Sequence, residues 1–256
     1  MDCHSRNLPK TSFIAVVLVV VPVALFGGGQ TVSGTSNPYL AGMPNGSACC
    51  IGDTAPAQSP VLVTGVSLTA GSALTFSVSG SVDNAAGTPT LTPDGGSVFT
   101  GTSENGISAA TWPLNALVGV FLDATQPDSS AAPSPLDFTS TNFTTLSPQL
   151  KQAFFIGDGR TGTGSGSTQT FIVPAGATRL FLGTSDGVGW FNNTGSFNVG
   201  VSGGAVGATP TPTTAPPTAT PTVPAPAAQV PTLSFPMLAL LGLALVGASI
   251  FLIRRG

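Results

Sequence analysis

In the stretch "DGVGWFNNTGSF" one carboxylate, Asp186, stands six residues ahead of an amide pair, Asn192 and Asn193. The loop is studded with glycine and runs straight into an alternating strand. All three side chains carry oxygens of the kind a hard cation takes: calcium accepts carboxylate, amide and backbone carbonyl oxygens in a loose shell. Gly187 and Gly189 would let the backbone curl so that carbonyls turn inward. The same residue types also build ordinary turns, in which Asp and Asn bond their own backbone and glycine supplies positive φ. From the loop alone, a calcium cage and a plain Asx turn both stand.

Other chemistry is scarce. The only histidine is His4, in a segment expected to be removed, so the mature chain would have no imidazole. That argues against Ser-His-Asp and Cys-His catalysis and against His-ligated zinc or iron. Paired carboxylates need two placed acids, and no acidic pair here has a recognisable setting; no enzyme activity is expected. Between Lys10 and Arg254 the bases are Lys151, Arg160 and Arg179, against nine acids from Asp53 to Asp186. Such an acidic body lacks the basic footprint of a nucleic-acid binder and suits an extracellular protein that meets neutral partners or cations. Cys49 and Cys50 are adjacent. Neighbouring cysteines rarely bond each other, so these are expected to pair with another chain or to stay free, with no assigned function.

The elements that must position the loop are strands. Between residues 35 and 207 period-2 alternation recurs: Leu74, Phe76 and Val78 share one face while Thr75, Ser77 and Ser79 share the other. "VLVTGVSL", "TQTFIVPAG", "TRLFLGT" and "GSFNVGVS" are similar runs, punctuated by Gly, Asp, Asn and Pro. The one stretch with helical periodicity is "SPQLKQAFF". Short strands at this spacing predict an all-β domain, an antiparallel sandwich or barrel. Trp112 reads as packing in the core or at a strand edge.

Both ends read as addresses. Residues 1–34 form a signal peptide: Arg6 and Lys10 precede an apolar run, Phe13 to Phe26, and small residues follow. Cleavage is expected between Gly27 and about Gly34, the alternative being an uncleaved anchor. Residues 208–229, dense in Pro and Thr, form an extended stalk on the order of 60 Å long. Residues 230–256 combine Val230, Pro231, Thr232 and Leu233 with an uncharged span and the terminal pair Arg254 and Arg255. Leu233 to Ile253 is long enough to cross a bilayer, and the arginines would face the cytoplasm. This three-part tail resembles the IPTL-type (PEP-CTERM-like) sorting signals of Gram-negative bacteria. That resemblance implies an exosortase-like membrane protease as partner, with the chain anchored in the inner membrane or processed to the surface or matrix. A simple tail anchor is the alternative.

The body resembles the PA-I-type bacterial galactophilic lectins, calcium-dependent β-sandwiches. Three segments carry the likeness: "SPVLVTGVSLTAGSALTFSVSGSV", "ENGISAATWPLNALVG" and "LFLGTSDGVGWFNNTGSFNV". The third is the specific one. About thirty residues between Leu122 and Gln152 have no counterpart and read as an insertion. The resemblance implies a jelly-roll-like sandwich in which calcium is bound by Asp186, Asn192 and Asn193. It implies backbone carbonyls near Gly189 or Trp190 and near Asp83 or Asn84 as further ligands. It implies that the ion and these side chains hold hydroxyls of a galactose-like sugar, with Glu104 and Asn105 beside them. Thr102 stands where the family has a histidine, and the Asp-to-Asn spacing is one residue shorter, with Trp190 inside it. Trp190 and Phe191 could stack on the apolar face of a sugar ring; for Trp190 a hydrophobic plug that closes the loop is the alternative. The expected function is an exported calcium-dependent binder of a neutral polysaccharide, and the competing one a structural envelope or matrix protein that binds no sugar.

Overall fold

The structure is a computed structural model and describes residues 29–203. The segment expected as a signal peptide, through residue 28, the expected Pro/Thr stalk and the tail with Val230–Leu233, Arg254 and Arg255 lie outside the described residues.

Fourteen strands carry the described chain. They are β1 (Gln30–Ser33), β2 (Ala48–Cys49), β3 (Asp53–Thr54), β4 (Val61–Leu62), β5 (Ala73–Asp83), β6 (Val98–Thr100) and β7 (Ala110–Pro113), followed by β8 (Leu117–Leu122), β9 (Leu136–Asp137), β10 (Thr145–Leu146), β11 (Ala153–Phe155), β12 (Thr170–Ile172), β13 (Arg179–Thr184) and β14 (Thr194–Gly203). Helix is confined to three single 3-10 turns, at Pro38–Leu40, Pro127–Ser129 and Trp190–Asn192. Among the described residues no helix is long and apolar enough to cross a membrane. The domain is all-β.

Two sheets dominate. The first has the order β1-β14-β5-β12-β10 and the second β11-β8-β13-β4; β6-β7-β9 and the β2-β3 hairpin complete the set. Alternation builds the first sheet. In β5, Leu74, Phe76 and Val82 are buried while Ser77 and Ser79 are exposed, and in β14 Phe197, Val199 and Val201 are buried. These two strands pair antiparallel from Thr194↔Asp83 to Gly203↔Leu74. In β8 every residue is buried, so its sequence, LVGVFL, is apolar without alternation, as a strand covered on both faces requires. Phe154 of β11 stacks on Phe121 of β8 at 5.2 Å and meets Phe171 of β12 at 5.7 Å, a direct contact between the two large sheets.

Two expectations change. "SPQLKQAFF" is no helix: Lys151 has φ 64°, which breaks a helical run, and Ala153–Phe155 continue as β11 with all three residues buried. The 123–152 segment, expected as an insertion, packs on the core: Phe138 and Phe143 lie against Phe155 at 5.9 and 6.5 Å. It also adds β9 and β10, which pair parallel with β7 and β12, so the pairing is not wholly antiparallel. At the other end, Gln30–Ser33 form a sheet strand with Val32 fully buried.

Candidate functional site

The strand ladders of both large sheets run out at one place. The β5–β14 ladder ends at Thr194↔Asp83, and the next residues are Asn193 and Asn84. The β8–β13 ladder ends at Leu117↔Thr184. Beyond it, Ser185 N–H donates to Ala116 O at 2.9 Å and Asn115 N–H to Ser185 O at 2.8 Å, so the next residues on that side are Asn115 and Asp186. Each sheet thus delivers a pair of polar side chains just past its last paired residues.

Asp186 is 4% exposed, and its Oδ1 accepts the Gly187 N–H at 2.6 Å. Its Oδ2 is buried with no hydrogen-bond partner. Burial pushes the carboxyl above the usual carboxylate range, and the charge of Asp53 adds to that. The amides of Asn193 and Asn84 and the Gly187 N–H draw it part of the way back. Asn193 is likewise buried; its Nδ2 donates to Gly34 O at 3.0 Å, which leaves its buried Oδ1 without a partner. Asn115, fully buried, donates from Nδ2 to Asn84 Oδ1 at 3.2 Å, and its own Oδ1 has no partner. Orphaned buried acceptors are costly, about 1–3 kcal/mol each, and ask for an unseen donor or cation.

The loop is held from outside by Asp53, a fully buried residue of β3. Its Oδ1 accepts Phe191 N–H at 2.8 Å, while Oδ2 accepts Trp190 N–H and Asn37 Nδ2, each at 3.1 Å. The carboxylate thereby caps the 3-10 turn Trp190–Asn192, whose N-cap, Gly189, has the left-handed conformation glycine tolerates (φ 77°). Burial pushes the Asp53 carboxyl up while its donors pull it back. Gly189 N–H also donates to Cys50 O at 3.2 Å. The hairpin that carries Asp53 turns at Cys50, Ile51 and Gly52, all with positive φ, and there Cys49 and Cys50 are disulfide-bonded to each other. This corrects the expectation of separate partners: the tight reversal of the chain brings the two neighbouring sulfurs together.

The residues expected at the site are divided. Asp186 and Asn193 come together, but Asn192 is exposed, and its carbonyl accepts the Ala86 N–H at 3.0 Å. Trp190 is fully buried, donates from Nε1 to Thr184 O at 2.8 Å and meets Tyr39 edge-on at 5.9 Å. Its ring is covered, which leaves no face open for a sugar and matches the expected alternative of a hydrophobic plug. Phe191 is the exposed aromatic, at 55%, and its ring lies beside Gly52 and Gly189. Asn105 spends its Nδ2 on Tyr39 O at 3.1 Å and Ala48 O at 3.4 Å in a tight turn closed by Glu104 and Ile107. Glu104 is half-buried, and its charge adds to the burial that raises the Tyr39 hydroxyl. Trp112 is fully buried in β7.

Sequence reasoning missed Asp53 and Asn115 and saw Asn84 only as a source of a carbonyl. Asn115 carries one signal that could have found it, an Asn immediately before an unbroken apolar run. Among the described residues no three His, Cys, Asp or Glu side chains gather as a metal group; the oxygens here come from one carboxylate and several amides. No protein-family model, curated protein or solved structure matches this chain.

Proposed function

We propose that this chain is an exported calcium-dependent carbohydrate-binding protein, built as a PA-I-lectin-like β-sandwich and carried on a Pro/Thr stalk ahead of a sorting tail. The observation that carries the reading is the pair of buried oxygens left without partners, Asp186 Oδ2 and Asn193 Oδ1, where the ends of both sheets meet. Such a donor set fits calcium: hard oxygens, one formal charge and no nitrogen or sulfur ligand. Bound there, calcium would supply a positive centre able to coordinate vicinal hydroxyls of a sugar.

The chain's own residues divide the remaining work. Asp186 and Asn193 hold the ion through their unpartnered oxygens. Gly34 O fixes the Asn193 amide by taking its Nδ2, so that Oδ1 is the atom left over. Asp53 fixes the backbone between them through the Trp190 and Phe191 N–H groups. Trp190 closes the loop from below. Phe191 presents an aromatic ring to solvent next to the loop, the surface that the C–H face of a pyranose covers well. Val188 and Ile51 extend this apolar rim, at 55% and 78% exposed.

The second reading is an envelope or matrix component in which the ion serves stability alone. It is favoured by the commitment of Asn105 to backbone carbonyls, which removes one of the amides expected to face a sugar. A glycan array with galactose-bearing and other neutral oligosaccharides, run with calcium and with chelator, separates the two. Chelator-sensitive retention of a neutral glycan supports the lectin; no retention under either condition returns the protein to the structural reading.

A further inference from the structure

We propose that Asn115 completes the calcium cage, taking the place that the loop sequence assigns to Asn192. This deepens the calcium reading above and rests on it.

Three costs converge on Asn115. Its backbone is left-handed, with φ 64°, a conformation most residues avoid and that Asn and Gly tolerate best. Its side chain has no exposed surface. Its Oδ1 accepts nothing. An apolar side chain, or a glycine, would avoid the last of these, so the amide is retained against the grain of the core. What surrounds it gives the reason. Asn115 follows Asp186 across the β8–β13 end, tied by its N–H to Ser185 O at 2.8 Å, while Ser185 Oγ accepts the Ala116 N–H at 2.8 Å. Its Nδ2 is fixed on Asn84 at 3.2 Å, and Asn84 in turn acts on the Asp186 carboxylate. With the nitrogen turned to Asn84, Oδ1 is the end of the amide without a partner, as it is in Asn193, whose nitrogen donates to Gly34 O. The same device therefore occurs twice, once from each sheet.

Three buried acceptors result: Asp186 Oδ2, Asn193 Oδ1 and Asn115 Oδ1. A single water brings only two hydrogens and leaves one of the three unsatisfied. A calcium ion takes six to eight oxygens and accommodates all three. Asn192, the amide suggested by the sequence, is exposed. An amide from the facing sheet, Asn115, stands in for the exposed amide of the loop.

The test measures calcium binding by full-length protein with calcium chloride as the sole ligand, using titration calorimetry and the shift in melting temperature between calcium and chelator. Asn115→Gly keeps the left-handed backbone and removes the amide, so it should fold as wild type without metal. Its calcium affinity should fall on the order of tenfold to a hundredfold, the scale of a lost metal-supporting group. Asn115→Asp, which keeps an oxygen and adds a charge, should bind at least as tightly as wild type. Asn192→Ala should stay within about twofold of wild type, as a residue outside the cage does. Wild-type affinity in Asn115→Gly, or a loss in Asn192→Ala equal to that of the glycine variant, overturns the assignment of Asn115 and leaves calcium binding intact. Absence of calcium uptake by wild type overturns the calcium reading itself, and the proposal with it.

Discussion

Asp53→Ala should loosen the loop from a distance of more than a hundred residues in sequence. The side chain accepts from Asn37 Nδ2, Trp190 N–H and Phe191 N–H, at 3.1, 3.1 and 2.8 Å. Removing it strands three donors, two of them in buried bonds, each worth about 1 kcal/mol. Part of this is returned, because burial already disfavours the ionised carboxylate. A net loss of about 2 kcal/mol follows, which in a domain of this size lowers the melting temperature by about 4–8 °C. Asp53→Asn keeps an acceptor oxygen and should lose less. Asp137 is exposed and bonds only the Thr139 N–H two residues on, so Asp137→Ala should melt within about 1 °C of wild type. The assay is differential scanning calorimetry of the metal-free proteins. If Asp53→Ala melts together with Asp137→Ala, the three bonds do not hold the loop.

Without metal, burial holds Asp186, Asp53 and Asp94 above the usual carboxylate range, so their stabilising protons are bound below the unfolded value of about 4 and lost as pH rises through the folded values. The metal-free melting temperature should therefore rise on mild acidification. The gain from calcium should shrink over the same window because protons compete for Asp186; a metal-free melting temperature that falls steadily with acid would contradict this, the half-buried and oppositely shifted Asp123 being a weak counterweight. Phe191→Ala should cost about three- to tenfold in affinity for a calcium-dependent sugar, the scale of one ring contact, while leaving calcium binding unchanged; equilibrium titration of both ligands checks it. Trp112 and Trp190 are both fully buried, so native emission should be blue-shifted and protected from iodide, and quenching as efficient as in the unfolded chain would remove the plug.

Long strands were legible because one residue type repeats on one face. Leu74 and Phe76 in β5 and Phe197, Val199 and Val201 in β14 announce their period without help from the fold. Two-residue strands such as β9 and β10 carry no period, and their parallel partners, β7 and β12, are chosen by packing of Phe138 and Phe143. "SPQLKQAFF" misleads because its apolar spacing fits a helix until Lys151 turns left-handed. At the site, Asp186 and Asn193 were legible because they share a loop. Asp53 was not, since nothing near "GDTAP" says that its carboxylate caps a turn 137 residues later. Trp190 could not be decided from its neighbours: an exposed platform and a buried plug have the same local sequence, and only the Tyr39 and Thr184 contacts separate them. Asn115 is buried and Asn192 exposed for a similar reason, because which amide turns inward is set by where the β8–β13 ladder ends.

Thermal melting of wild-type protein in calcium and in chelator tests the central claim most directly. An ion that binds only the folded state stabilises it by RT ln(1 + [L]/Kd), about 2.7 kcal/mol at a hundredfold excess over Kd. For this domain that corresponds to a rise of about 5–10 °C. Chelator should reverse the rise, and Asp186→Asn should lose most of it by removing the one formal charge among the orphaned oxygens. Magnesium, which prefers a small octahedral shell rich in water, should give less. Superimposable curves in calcium and in chelator would mean that Asp186 Oδ2 and Asn193 Oδ1 hold no cation, and the loop would be an ordinary turn.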